Sequence, residues 1–240
     1  MMNRFKVATG LRHTIKLVQG MALIAITVFG LSRTEAIMST TIHVSAKGVD
    51  TPQCGIPNQP CRSIGQAIDR AQTNGTILVG PGYYGDINGD GDFNDPGDEA
   101  AELDFGCHCL VHVDKPLTIL STQGAEETVI DAAGVELNVV EFSADHITFG
   151  RCGEGFTITG AEHQLPIVHV TGVGLEARQV NDLYLGGNHI SFNSMIGVVL
   201  EEVTESMVQG NTASHNNRAG FTFRNSVGIA TSRLRTISPP

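Results

Sequence analysis

The segment DINGDGDFNDPGDE, Asp86–Glu99, holds the densest set of ligand-forming side chains in the chain. Asp86, Asn88 and Asp90 alternate along it, and Gly91 follows. Hard oxygens at that spacing wrap a single Ca²⁺, and a glycine allows the sharp bend between ligands. The pattern is the first half of an EF-hand-type loop. It then drifts, because the twelfth position falls on Gly97 and the acids Asp98 and Glu99 come just after. The expected ligands are Asp86, Asn88, Asp90 and Asp92, completed by Asp98 or Glu99. The competing reading is a solvated acidic turn. A bound ion would stabilise the fold whether or not it served chemistry.

A second set recurs at a fixed interval. Arg178, Glu201 and Arg224 are 23 residues apart. On neighbouring strands, about 4.8 Å apart, they would form a column of alternating charge. Removing the proton α to a uronate carboxyl requires a base. The enolate-like intermediate requires positive charge beside it. The column is a candidate for that chemistry. As a mere ion ladder between strands it would contribute little energy.

Other catalytic patterns are missing. No paired carboxylates of the glycosidase kind stand on a repeat strand. No glycine-rich phosphate loop follows a strand, and G-x-S-x-G is absent. The histidines do not converge: His189 aligns with Thr212 and His215 with Phe192, while His108, His112, His163 and His169 lie elsewhere. Trp is absent and Tyr scarce, so no aromatic sugar platform is evident beyond single residues such as Phe192 or Tyr184. Cys54 and Cys61 flank GIPNQP, a loop whose Pro and Gly bring its ends together for a disulfide. Cys152 is expected to pair with Cys107 or Cys109, leaving one thiol over. The triplet Cys107–His108–Cys109 also reads as metal ligands, but no second cluster completes a zinc site.

The elements that position these groups are set by a repeat. Asn188, Ser191, Asn193 and Gly197 recur as Asn211, Ser214, Asn216 and Gly220. One unit is GLEARQVNDLYLGGNHISFNSMI from Gly174, and the next is GVVLEEVTESMVQGNTASHNNRA from Gly197. A fixed period in the twenties signals a solenoid. Within each unit apolar and polar residues alternate, Leu175 and Ala177 with Glu176 and Arg178, with Val198 and Leu200 and then Phe221 and Phe223 at the same apolar positions, which is the period of a half-buried strand. Asn188 and Asn211 are expected to form a structural amide ladder. VNDLYLGGNHI also fits a leucine-rich repeat, but Ser206 stands where the next unit needs the counterpart of Leu183. A right-handed parallel β-helix, with about three short strands per coil of about 23 residues, fits better. Further strands are expected at LTILS, TVIDA, NVVEF, ITF, GFTITG and IVHV, the last over Ile167–Val170. SIGQAIDRAQTNG reads as a short helix with Ser63 as N-cap and Gly75 past its end. It would lid the first coil.

The chain of 240 residues opens with Arg4, Lys6, Arg12 and Lys16, then MALIAITVFGL over Met21–Leu31. That run is shorter than the roughly 20 residues of a membrane span. It reads as a secretory signal ending near Ala36, the alternative being an uncleaved anchor. Residues 1–36 hold five of the 15 Lys+Arg but only Glu35 of the 25 Asp+Glu. Their removal deepens the formal charge of −10. Such a surface repels nucleic acid, and it repels an acidic polysaccharide unless a divalent cation intervenes.

The run VSAKGVDTPQCGIPNQPCRSIGQAIDRAQTNGTILVGPGYY resembles the opening of secreted bacterial right-handed β-helix proteins of the pectate-lyase-like superfamily. NTASHNNRAGFTF resembles their parallel β-helix repeats, and the likeness spans roughly residues 41–226. It implies an all-β fold, but that superfamily includes lyases, hydrolases, epimerases and adhesins. The expected organisation is a signal over 1–36, a strand and capping helix over 37–80, and a parallel β-helix over 81–240 with the acidic insertion at 86–99. The last unit breaks off at RTISPP without a lid, so further C-terminal coils or a partner are expected to cover it. The expected function is binding or processing of an extracellular polysaccharide, in a secreted, periplasmic or cell-surface setting. The alternatives are a non-catalytic adhesion module or an inactive fragment.

Overall fold

The computed structural model describes residues 41–88, 90–93, 95–103, 107–163 and 171–238. The expected signal over 1–36 and the expected strand Ile167–Val170, with His169, lie outside them. In chain order the elements are β1 (Thr41–Val44), α1 (Ile64–Arg70), β2 (Gly75–Val79), β3 (Gly82–Gly85), β4 (Glu102–Leu103) and β5 (His108–Val113). Then come β6 (Leu117–Ser121), β7 (Thr128–Asp131), β8 (Asn138–Phe142), β9 (Thr148–Phe149), β10 (Thr157–Thr159) and β11 (Leu175–Arg178). The rest are β12 (Tyr184–Gly186), β13 (His189–Ser191), β14 (Ile196–Glu201), β15 (Met207–Gln209), β16 (Thr212–Ser214), β17 (Ala219–Arg224), β18 (Ala230–Ser232) and β19 (Arg235–Ile237).

These strands form three sheets. The first runs β1-β2-β6-β9-β12-β15-β18, the second β3-β7-β10-β13-β16-β19, and the third β4-β5-β8-β11-β14-β17. From β2 onward the chain visits first, second and third sheet in rotation. Every pairing between named strands is parallel except β4 with β5. Three parallel sheets visited in turn are compatible with a parallel β-helix solenoid.

One column of side chains from each sheet fills the interior. The first sheet stacks Ile77, Ile119, Phe149, Leu185 and Val208. The second stacks Tyr84, Ile130, Ile158, Ile190 and Ala213. The third stacks Val111, Val140, Leu175, Val198 and Phe221. All but Phe221 are fully buried, and burying each large side chain contributes about 1.5–3 kcal/mol. Phe142 packs edge-on against Phe149, and Phe149 lies tilted against Phe156, with ring centroids 5.3 and 4.8 Å apart.

Turns repeat with the strands. Gln179, Glu202 and Asn225 share a left-handed backbone, as do Phe192 and His215. Asn188 and Asn211 form the expected ladder: Asn188 Nδ2 donates to Asn211 Oδ1 at 3.0 Å. Asn193 and Asn216 form a second one, also at 3.0 Å. Each amide oxygen also accepts a backbone N–H from the preceding turn.

Helix α1 starts where Ser63 caps it, with Gln66 N donating to its hydroxyl at 3.1 Å. It ends earlier than expected, because Ala71 is already extended and Gly75 opens β2. Its buried face is Ile64, Ala67 and Ile68. Among the described residues, no helix is long and apolar enough to cross a membrane.

Candidate functional site

The outer face of the third sheet gathers the charged groups. Leu175 pairs with Val198 and Val198 with Phe221 in the core column, so Glu176, Arg178, Glu201 and Arg224 belong to the opposite face. Arg178 pairs with Glu201 and Glu201 with Arg224, which brings the three candidate residues side by side. Arg178 Nε lies 3.9 Å from Glu201 Oε2. Its Nη2 donates to Glu176 Oε1 at 2.7 Å, a closer bond. The Arg178 and Arg224 side chains are exposed and Glu201 is half-buried.

Glu176 is buried although it alternates with core positions. Its Oε2 accepts from Asn138 Nδ2 at 2.9 Å. Burial raises its pKa, and Arg178 pulls against that rise. Glu176 pairs across to Glu141, and Glu141 to His112. Burial, then the neighbouring Glu176 charge, pushes Glu141 up to about 7. Its Oε2 is buried without a hydrogen-bond partner. His112 bridges Glu102 Oε2 at 2.9 Å and Ser143 Oγ at 2.8 Å.

The acidic insertion folds its oxygens onto its own backbone. Asp86 Oδ2 accepts from Gly91 N at 2.6 Å, Asn88 Oδ1 from Asp90 N at 2.9 Å, and Asp90 Oδ1 from Asp92 N at 2.8 Å. Asn88 Nδ2 donates to Asp95 Oδ2 at 2.6 Å. Asp98 Oδ1 closes the loop by accepting from Ile87 N at 2.8 Å, and its Oδ2 is buried without a partner. Glu99 is turned to helix α1 instead, accepting from Ile64 N at 2.6 Å and Gly65 N at 3.0 Å. Complete burial pushes its pKa up to about 7 against those donors and Arg62.

Cys54 and Cys61 are joined, as their loop implies. The second disulfide differs from expectation. It links Cys107 to Cys109, and Cys152 is an exposed free thiol. Cys109 lies in β5 of the third sheet, whereas Cys152 lies in the turn after β9 of the first sheet. Ligand atoms of Cys107, Cys109 and Glu141 lie within 4.8 Å of one another, and so do those of Glu102, Cys107 and His112.

No known family model, curated protein or solved structure matches this chain. Its chemistry is therefore read from its own side chains. The paired carboxylates that were not visible along any single strand exist between strands, as Glu141 beside Glu176. Their signal was the shared order of an aliphatic residue followed by Glu in NVVEF and GLEAR. Glu141 and Glu176 stand 35 residues apart, outside the 23-residue period, which hid the match.

Proposed function

We propose that the chain is an exported right-handed parallel β-helix of the pectate-lyase-like kind, with about 23 residues per coil and α1 as its lid. It binds and processes a carboxylate-bearing extracellular polysaccharide along the outer face of the third sheet. The observation that carries this reading is the register that sets Arg178, Glu201 and Arg224 on three adjacent strands. Two guanidiniums flanking one carboxylate suit a uronate unit: the cations receive carboxylate charge, and Glu201 is the nearest group to take a proton. Buried Glu176 holds Arg178 through their 2.7 Å bond. A Ca²⁺ held by Asp86, Asn88, Asp90 and Asp92, with Asp98 closing the loop, would stiffen the insertion and soften the acidic surface against an acidic polymer. The basic and apolar stretches within residues 1–36 support export.

The test is a panel of uronate and neutral polysaccharides, read for new reducing ends, unsaturated uronates and retention on immobilised polymer. It is run with and without EGTA. The proposal expects one uronate polymer to be retained or cleaved, at least tenfold less after Arg178→Ala or Arg224→Ala. EGTA should lower the unfolding temperature. An intact, folded protein that neither retains nor cleaves any polymer contradicts it. A second reading has its own support: Arg178 is bonded at 2.7 Å to buried Glu176, as in a structural ion ladder of a non-catalytic surface module. In that case Arg178→Ala changes stability alone.

A further inference from the structure

The third sheet holds a cluster that the polysaccharide reading leaves unused. One ligand atom each from Cys107, Cys109 and Glu141 lies within 4.8 Å of the others, and so does one each from Glu102, Cys107 and His112. Cys107 belongs to both groups. Cys107 is 2% exposed and Cys109 not at all. In a tetrahedral zinc shell the ligand atoms are about 3.5 Å apart, inside the 4.8 Å that bounds each group.

The disulfide leaves one fact unexplained. Glu141 Oε2 is buried with no hydrogen-bond partner, on a strand directly beside buried Glu176. A buried unpaired carboxylate oxygen next to a second carboxylate is costly. A cation at that point would relieve both. The neighbouring His112 is held by Glu102 at 2.9 Å and Ser143 at 2.8 Å. A histidine fixed by a carboxylate is the usual surrounding of a metal-ligating imidazole.

We propose that the Cys107–Cys109 disulfide and a metal-bound dithiolate are alternative states of one site. Once reduced, the site takes a thiophilic divalent cation, Zn²⁺ above all, through Cys107, Cys109 and Glu141, with the fourth ligand from the Glu102–His112 pair. Thiolates select Zn²⁺ over Ca²⁺ or Mg²⁺. The chemistry balances with an external thiol as reductant. Two thiols supply two electrons and two protons, the sulfur–sulfur bond breaks, and one external disulfide forms. Cation binding then releases the two cysteine protons. The site shares no ligand with the Arg178–Glu201–Arg224 row and does not depend on a sugar substrate.

The experiment uses the whole protein, reduced with a phosphine and titrated with Co²⁺, then competed with Zn²⁺. The near-ultraviolet thiolate-to-cobalt band is the readout, and far-ultraviolet circular dichroism checks folding. The proposal expects one Co²⁺ per chain after reduction and none before. The band should vanish in a Cys107→Ser, Cys109→Ser double variant, which keeps Cys54, Cys61 and Cys152. Zn²⁺ affinity should fall at least tenfold in Glu141→Gln. If Glu141→Gln does not fold, His112→Ala replaces it, with a loss of about tenfold expected. No band in the reduced protein overturns the proposal. So does a band that persists in the double-serine variant. Unchanged Zn²⁺ affinity in the folded Glu141 or His112 variant overturns it as well.

Discussion

Asn211 is fully buried, yet both ends of its amide are bonded. Its oxygen accepts from Asn188 N and Asn188 Nδ2, each at 3.0 Å, and its nitrogen donates to Leu185 O at 2.8 Å. Replacing it by Ala strands a backbone N–H and a carbonyl in the interior. Each such loss costs about 1–3 kcal/mol, so Asn211→Ala should lower stability by about 2–4 kcal/mol in urea unfolding. A change below about 0.5 kcal/mol would place the ladder's strength elsewhere. Glu99 gives a pH-dependent counterpart. Its pKa is raised from 4.5 to about 7, chiefly by burial, so the folded protein holds this proton more tightly than the unfolded chain. The linked stability is complete below about 4.5 and is lost as pH rises to about 7. Glu99→Gln should remove that part of the slope in urea midpoints measured across pH 4.5–7. Glu141, also raised to about 7, keeps its own share in both proteins. Equal slopes would contradict the assignment. Asn211 was legible because it repeats. The role of Glu99 was not, because its partners are 34 and 35 residues earlier in the chain.

At the scale of the elements, Gly174, Gly197 and Gly220 show how closely strands approach. A Cβ at Gly197 would lie 2.7 Å from both Gly220 O and Asn216 Nδ2, and a Cβ at Gly174 would lie 2.8 Å from Gly197 O. Gly197→Ala should therefore cost about 1–3 kcal/mol by overpacking, seen as a lower unfolding temperature. An unchanged temperature would mean that β14 and β17 can separate freely. Strands β6 and β8 were readable end to end, because LTILS and NVVEF are rich in β-branched and apolar residues between turns. The helix start was readable from Ser63, but its end was not, since Ala71 breaks it without glycine or proline. The antiparallel β4 carries no pattern at two residues. The Arg178–Glu201–Arg224 row was legible because its strands keep the 23-residue step. The Glu141–Glu176 pair and the Cys107–Cys109 bond were not, because they depend on the less regular turns upstream.

At the largest scale, across the described residues from β2 onward, the governing property is that each strand lies on its counterpart in the preceding turn of chain. From β11 onward the matched residues are 23 apart in all three sheets, as in Leu175 with Val198, Tyr184 with Met207, and His189 with Thr212. Upstream the step widens, to 36 between Thr148 and Tyr184 and 42 between Thr118 and Thr76, as more residues separate successive strands of a sheet. Stability in such a stack is a sum of unit and neighbour terms, so units are separable. Deleting Asn188–Gly210 joins Gly187 to Asn211 and removes one full step while keeping every column in register. Thermal unfolding of that deletion, followed by far-ultraviolet circular dichroism, is the most direct test of stacking. The account predicts a β-rich, cooperatively unfolding protein with a lower unfolding temperature, and an unfolded chain when only Asn188–Val198 is removed. Loss of structure in both deletions, or retention in both, would contradict it.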